Sequence, residues 1–246
     1  MIVMVLRFDA PLVSFGAPAI DHHGFVQQFP ALSMLTGLFA NALGWRHQDF
    51  DRLDALQDRI LFAARVDRRG HALRDYQTVD LGMPWMRAEQ AGWTTRGEIA
   101  TRGGGPENAT GTHQRFRHYR ADSVHTVAVS VAGDEPPSSH DLAIALAEPQ
   151  RPLFIGRKPC LPAAPILLAT VEAPSLVSAL ATIPRSRRAD SGDLPACWWD
   201  GDDPTGSVGQ SWVVPVSDER DWTSRVHVGR RLMREGHVCP PEHGHA

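Results

Sequence analysis

Residues 94–120, TTRGEIATRGGGPENATGTHQRFRHYR, concentrate the groups of this chain best suited to grip a polyanion. They hold five arginines (Arg96, Arg102, Arg115, Arg117, Arg120) against two acids (Glu98, Glu107). The triplet Gly103-Gly104-Gly105 lies in the middle, and Phe116 and Tyr119 are interleaved with the last arginines. A guanidinium presents a planar fork of donors that matches phosphate. Glycine lets backbone approach a ligand closely. Aromatic rings offer faces on which unpaired bases stack. The combination suits a finger that holds single-stranded nucleic acid; the plainer reading is a solvated, charged loop.

Three shorter segments carry related chemistry. In FIGRKPC an apolar pair is followed by Gly156, Arg157 and Lys158. Backbone amides around such a glycine can form an anion-binding concavity, to which the two cations add charge. An ordinary positively charged turn is the alternative. In LRDYQTV, the residues Arg74, Tyr76 and Thr78 alternate and share one face of a strand. Ser14, Phe15 and Gly16 form a Ser-aromatic-Gly turn after the first apolar run, placed to meet a sugar-phosphate backbone or simply to turn the chain.

Enzyme signatures are sparse. The chain has no G-x-x-x-x-G-K-[ST], no G-x-S-x-G and no H-E-x-x-H. His113, His118, Tyr119 and Lys158 have the proton-transfer chemistry that RNA cleavage needs, so an endoribonuclease stays open at this point. Cys239, His243 and His245 make a weak metal set in a terminal segment. No metal site and no cofactor are expected.

Composition sets bounds on these readings. With 246 residues the chain can bury a full core. A net charge of −3 excludes a globally basic coat protein and requires any nucleic-acid site to be a local patch. Lys158 is the only lysine among 25 basic side chains, so clustering of arginines informs more than their number. Three widely spaced cysteines, Cys160, Cys197 and Cys239, argue against a disulfide scaffold. No window reaches the ~20 apolar residues of a membrane span. A cytoplasmic protein without a membrane partner is expected.

Positioning these groups requires a scaffold. Residues 2–8 read as a central strand and 10–30 as ordered loop. Ser33 is expected to N-cap a helix over MLTGLFANALG that ends at Gly44. A short helix fits 50–58, a strand 60–66, and a turn Arg68-Arg69-Gly70. VHTVAVSV over 124–131 alternates as a strand, Ser138-Ser139 cap a helix through Ala147, and strands follow at 154–155 and 166–171. The order is the β-α-β-β-α-β, ferredoxin-like pattern. Its core is expected to close near Glu172. Residues 173–246 read as a small C-terminal, β-rich subdomain, with a flexible loop at 184–207, short strands at 208–216 and 224–228, and a disordered tail.

These segments occur in an order that resembles a known family. LRFDAPLVSFGAPAI, FPALSMLTGLFANALGW, LRDYQTV, HQRFRHYRAD and FIGRKPCLPAAPI, with DWTSRVHVGRRL near the end, are similar to the CasD family of type I-E CRISPR Cascade, over roughly residues 1–172. The resemblance implies an α+β, modified ferredoxin-like (RRM-like) domain with a thumb hairpin inserted at about 83–112. It implies binding of the 5′ handle of the CRISPR RNA, capping of the backbone subunits, contact with the large subunit and, through the complex, with target DNA. It implies no catalysis, although type I-C systems use the equivalent subunit to process precursor CRISPR RNA. The implied RNA-binding residues are Ser14, Phe15, Gly16, Arg74, Tyr76, Arg96, Arg102, Gly103, Gly104, His113, Gln114, Arg115, Arg117, Tyr119, Arg120, Gly156, Arg157 and Lys158.

Overall fold

The computed structural model describes residues 1–18, 23–80, 112–201 and 206–241. Its centre is a seven-stranded antiparallel sheet. β1 (Ile2–Asp9) lies between β7 (Val124–Val131) and β8 (Leu167–Glu172), and β7 pairs on its other edge with β4 (Ile60–Arg68). All eight residues of β7 are buried, although an alternating strand exposes one face. The reason is that both faces of the sheet are covered. Val127 and Val129 pack with Leu35, Leu38 and Phe39 of α1 (Leu32–Ala42) and with Leu142 of α3 (Ser139–Ala147). Ala128 packs on the opposite side with Leu176, Val177 and Leu180 of α4 (Leu176–Thr182). α2 (Phe50–Gln57) buries Leu53 and Leu56 as its spacing requires.

Two expected helix starts have different outcomes. At α3, Ser138 and Asp141 form a capping box: the Ser138 hydroxyl accepts from the Asp141 N–H, and the Asp141 carboxylate accepts from the Ser138 N–H. At α1, Ser33 does not cap. The helix begins at Leu32, and Asp218, 186 residues away, replaces a local cap. Its carboxylate accepts from Leu32 N–H at 2.9 Å and its carbonyl from Ser33 N–H at 3.0 Å. Arg231 holds that carboxylate in place with two bonds of 2.7 and 2.8 Å.

The chain beyond Glu172, read from the sequence as a small C-terminal, β-rich subdomain, contributes strands to the central sheet. β9 (Ala196–Asp200), β10 (Ser207–Val216) and β13 (Arg231–Val238) extend the same sheet, in the order β10-β13-β9-β4-β7-β1-β8. The stretch expected as a flexible loop at 184–207 therefore contains β9, paired with the middle of β4, with Trp198 and Trp199 buried; residues 202–205 lie outside the described residues. A buried ion pair fixes the start of this stretch. Arg65 Nε donates to Asp67 at 2.6 Å, Arg65 Nη1 donates to the carbonyls of Leu180 and Ile183, and Asp67 also accepts from Ser186 N–H. The tail expected to be disordered is described as far as Pro241, whose carbonyl accepts from Arg185 N–H; 242–246 lie outside the described residues.

Residues 154–155 form no strand. The Ile155 N–H donates to Cys160 O and the Cys160 N–H to Arg157 O, so the backbone closes on itself as a tight loop. A second, smaller sheet carries the arginine-rich segment. β5 (His71–Asp80) and β6 (Thr112–Ala121) pair antiparallel over ten residues. β2 (Leu12–Val13) and β3 (His23–Gly24) pair with the other edge of β6. A two-stranded hairpin, β11 (Arg220–Asp221) and β12 (Val226–His227), completes the described fold.

Candidate nucleic-acid interface

Gly156 initiates the site. Its φ of +89° is left-handed backbone, and a Cβ there would overlap the Ser14 carbonyl oxygen. Ser14 N–H in turn donates to Ile155 O at 3.1 Å, so the 14–16 turn and the 154–160 loop are locked together. The next residue, Arg157, is held by three contacts. Nη1 donates to His118 O at 2.9 Å, Nη2 donates to Gly24 O at 3.0 Å, and the guanidinium lies 5.0 Å from the Tyr119 ring centroid. Lys158 follows exposed, with no hydrogen-bond or ion-pair partner among the described residues.

These groups open onto a groove of about 510 Å³ between the end of α1, the 154–160 loop and β6. Ser14, Gly16, Gly156, Arg157, Lys158 and Arg117 line one wall. Arg46, His47 and Trp45, just past α1, line the other, with Arg151, and Arg220, Trp222 and His227 of the β11–β12 region. Among the described residues, six cations and two imidazoles face the groove, and no aspartate or glutamate lines it. The charges feel one another. Burial, and then the neighbouring Arg157 and Arg115, hold Arg117 below the usual arginine range. Burial, and then Arg220, hold His47 and His227 below the usual imidazole range. An anion in the groove relieves that repulsion, because backbone amides and cations otherwise face one another in a partly desolvated space. Apolar side chains of Met34, Leu38 and Trp45 lie beside the charges, so the groove offers both ionic and apolar contacts.

Residues 3–234 match the family described as CRISPR-associated protein (Cas_Cas5). The chain belongs to this family. Among Cas5-like relatives, the CRISPR system Cascade subunit CasD of Escherichia coli (strain K12) is 29% identical over 178 residues, covering 69% of this chain and 71% of that protein. A chain of a solved CRISPR RNA-guided surveillance complex superposes with a TM-score of 0.67 at 27% identity, over 97% of this chain and 91% of that one. A crystal structure of a Cas protein shares the fold, with a TM-score of 0.63 at 22% identity over 98% of each chain.

In this Cas5-family chain the expected residues do not share one location. Ser14, Gly16, Arg117, Gly156, Arg157 and Lys158 converge on the groove. Arg115 shares the Arg117 face of β6. Phe15 and Tyr119 do not offer a stacking face. Phe15 is fully buried, edge-on to His125 with ring centroids 4.7 Å apart, and Tyr119 is buried under Arg157. Both rings complete the core where the small sheet meets the large one, and burial there is worth more than exposure. Arg120 is engaged in the fold: its Nε and Nη2 donate to Arg69 O at 3.2 and 2.8 Å. Arg74 and Tyr76 stand on the opposite face of the β5–β6 ribbon from Arg117. Arg96, Arg102, Gly103 and Gly104, with nearly all of the 83–112 insertion, lie outside the described residues, as do the side chains of His113 and Gln114.

The sequence reading missed Arg46, His47, Arg151, Arg220, Trp222 and His227. An Arg-His pair two residues after Gly44, which ends the helical segment, is a usable signal for the first two. The others come from segments with no local motif, and the Trp222 ring beneath the Arg220 guanidinium, 5.3 Å away, is a tertiary product. No helix among the described residues is long and apolar enough to cross a membrane.

Proposed function

We propose that this chain is a non-catalytic Cascade subunit of a CRISPR RNA-guided surveillance complex. In this reading it binds the 5′ handle of the CRISPR RNA, caps the backbone and contacts the large subunit, and so supports target DNA recognition. The observation that carries the reading is the convergence of Ser14, Gly16, Arg117 and 156–158 on one groove lined by cations and, among the described residues, without a carboxylate. Phosphates are to be held by Lys158, Arg117 and the amides around Gly156, while splayed bases stack on the apolar wall. The strand order β8-β1-β7-β4, with helices after β1 and β7, supports a ferredoxin-like core. The long β5–β6 ladder supports a thumb hairpin at its far end.

Binding rather than cleavage is favoured by where the candidate acid-base groups lie. Of the candidates read from the sequence whose side chains are described (His118, Tyr119 and Lys158), only Lys158 lines the groove, where His47 and His227 are the imidazoles present; the His113 side chain lies outside the described residues. Tyr119 is buried, and His118 faces the other side of the ribbon, with its imidazole 3.4 Å from that of His23. The decisive experiment purifies the tagged chain with its co-expressed complex and guide RNA. A short RNA bound by the wild-type protein, lost with complex assembly in Arg117→Ala/Lys158→Ala, and no cleavage of repeat RNA in EDTA, is the expected result. Assembly that is unchanged in the double variant overturns the assignment of the groove.

A further inference from the structure

The β5–β6 ribbon carries a second chemistry on the face turned away from Arg117. The register sets Tyr76 beside Phe116 and Arg74 beside His118, and β3 sets His23 beside Phe116 on the other edge. The rings form a continuous array. His23 stacks on Phe116 with centroids 4.9 Å apart and planes 14° apart, and on Phe25 at 5.4 Å and 9°. Phe25 lies 4.9 Å from His118, Tyr76 lies 5.3 Å from Phe116, and the Arg74 guanidinium sits 5.1 Å from the Phe116 centroid.

An array of this kind inside a core is buried, whereas here its edges face solvent. Tyr76 is 51% exposed and Phe25 41%. No described carboxylate pairs with Arg74. Flat rings topped by a guanidinium are what successive unpaired bases stack on, and the cation suits the phosphates between them. Two observations join the array to the groove. Phe25 lines the groove and also belongs to the array. Arg157 donates to the carbonyls of both His118 and Gly24, so hydrogen bonds tie the groove wall to the ribbon.

We infer that the face formed by His23, Phe25, Tyr76, Phe116 and His118 is a second binding site for single-stranded RNA, reached when a strand leaves the groove past Phe25. The inference rests on the groove being an RNA site, and it lengthens the strand that the protein covers. An exposed run of rings topped by the Arg74 guanidinium, continuous with a cationic groove, favours RNA over a protein partner at this face.

The test compares fluorescein-labelled oligouridylates of roughly 5 and roughly 12 nucleotides, within the range of single-strand site sizes. The full chain is used, and folding of each variant is checked by circular dichroism. The longer RNA should bind more tightly than the shorter. Tyr76→Ala should remove about fivefold or more of that gain, the effect of one lost stack. It should leave the short RNA unaffected, and Tyr76→Phe should retain the gain. Since Tyr76 is exposed, the alanine variant should fold; Arg74→Ala gives an independent second reading of the same face. If the short RNA binds but length adds nothing, or Tyr76→Ala leaves the gain intact, the inference is overturned and the groove assignment stands. If neither RNA binds, both fail. If Tyr76→Ala spares RNA binding and abolishes assembly with the other subunits, the face is a protein-docking site and the inference is again overturned.

Discussion

The Ser14 carbonyl oxygen fills the space in which any side chain on Gly156 would have to begin. The contact joins the first turn of the chain to a loop 142 residues later, and it makes Gly156 a requirement of the groove. Gly156→Ala meets both a backbone clash and a left-handed φ. It should lower stability by about 2–4 kcal/mol. Urea unfolding of the isolated protein measures this, and a change below about 0.5 kcal/mol refutes the described geometry.

Arg157 and Lys158 are neighbours with different duties. Arg157 is pinned to His118 O, Gly24 O and the Tyr119 ring, and Lys158 is exposed. Arg157→Ala should therefore lower the melting temperature as well as RNA affinity. Lys158→Ala should weaken RNA binding with little thermal effect, and should reduce the slope of log K against log salt by about 0.7 if it neutralises one phosphate on a single strand. Equal thermal losses in the two variants speak against this division.

His125 is fully buried. Its Nε2–H donates to Gln28 O at 3.0 Å, Nδ1 has no partner, and burial pushes the imidazole down to about 4. The unfolded chain takes up a proton near pH 6.5, and the folded protein resists it until about pH 4. His125 therefore imposes no penalty above pH 6.5, and stability falls as the pH drops through that window, by on the order of 3 kcal/mol in total. His125→Gln keeps a donor and removes the titration. Chemical denaturation between pH 7 and pH 4 should show a flatter dependence in the variant, and parallel curves contradict the assignment.

Asp218 caps α1 from across the molecule while accepting the fork of Arg231. Asp218→Ala removes the cap and leaves a largely buried guanidinium with Asp200 as its one carboxylate partner among the described residues. The expected loss is about 3 kcal/mol. Ser33→Ala, at the residue that reads as the cap in sequence, should cost less than Ser138→Ala, which removes a formed capping box at about 1 kcal/mol. Melting temperatures of the three variants settle the order, and a larger loss at Ser33 than at Asp218 contradicts it.

Much of the scaffold is legible in local sequence. The apolar runs of β1, β4, β7 and β8 and the Ser138 box state their roles because each depends on neighbours within a few residues, whereas the glycine before Arg157 is visible as a turn but its partner, Ser14, is not. β9 is hidden because ACWWD is too short to show a period and stands among turn residues. β13 is hidden because Arg231 and Arg234 break its apolar pattern, and the acids that stabilise Arg231 lie 13 and 31 residues away.

The sequence by itself determined that arginines, glycines and aromatic rings gather in a few segments, and in what order those segments run. Tertiary structure alone decided which cations stay free for a ligand. Arg157 and Arg120 are occupied by carbonyls that folding brings to them, Phe15 and Tyr119 are drawn into the core, and Arg151 and Arg220 arrive in the groove from segments without a motif. The physical reason is that pairing and burial depend on separation in space, and a charge or a ring becomes available only where the fold leaves it without a closer partner.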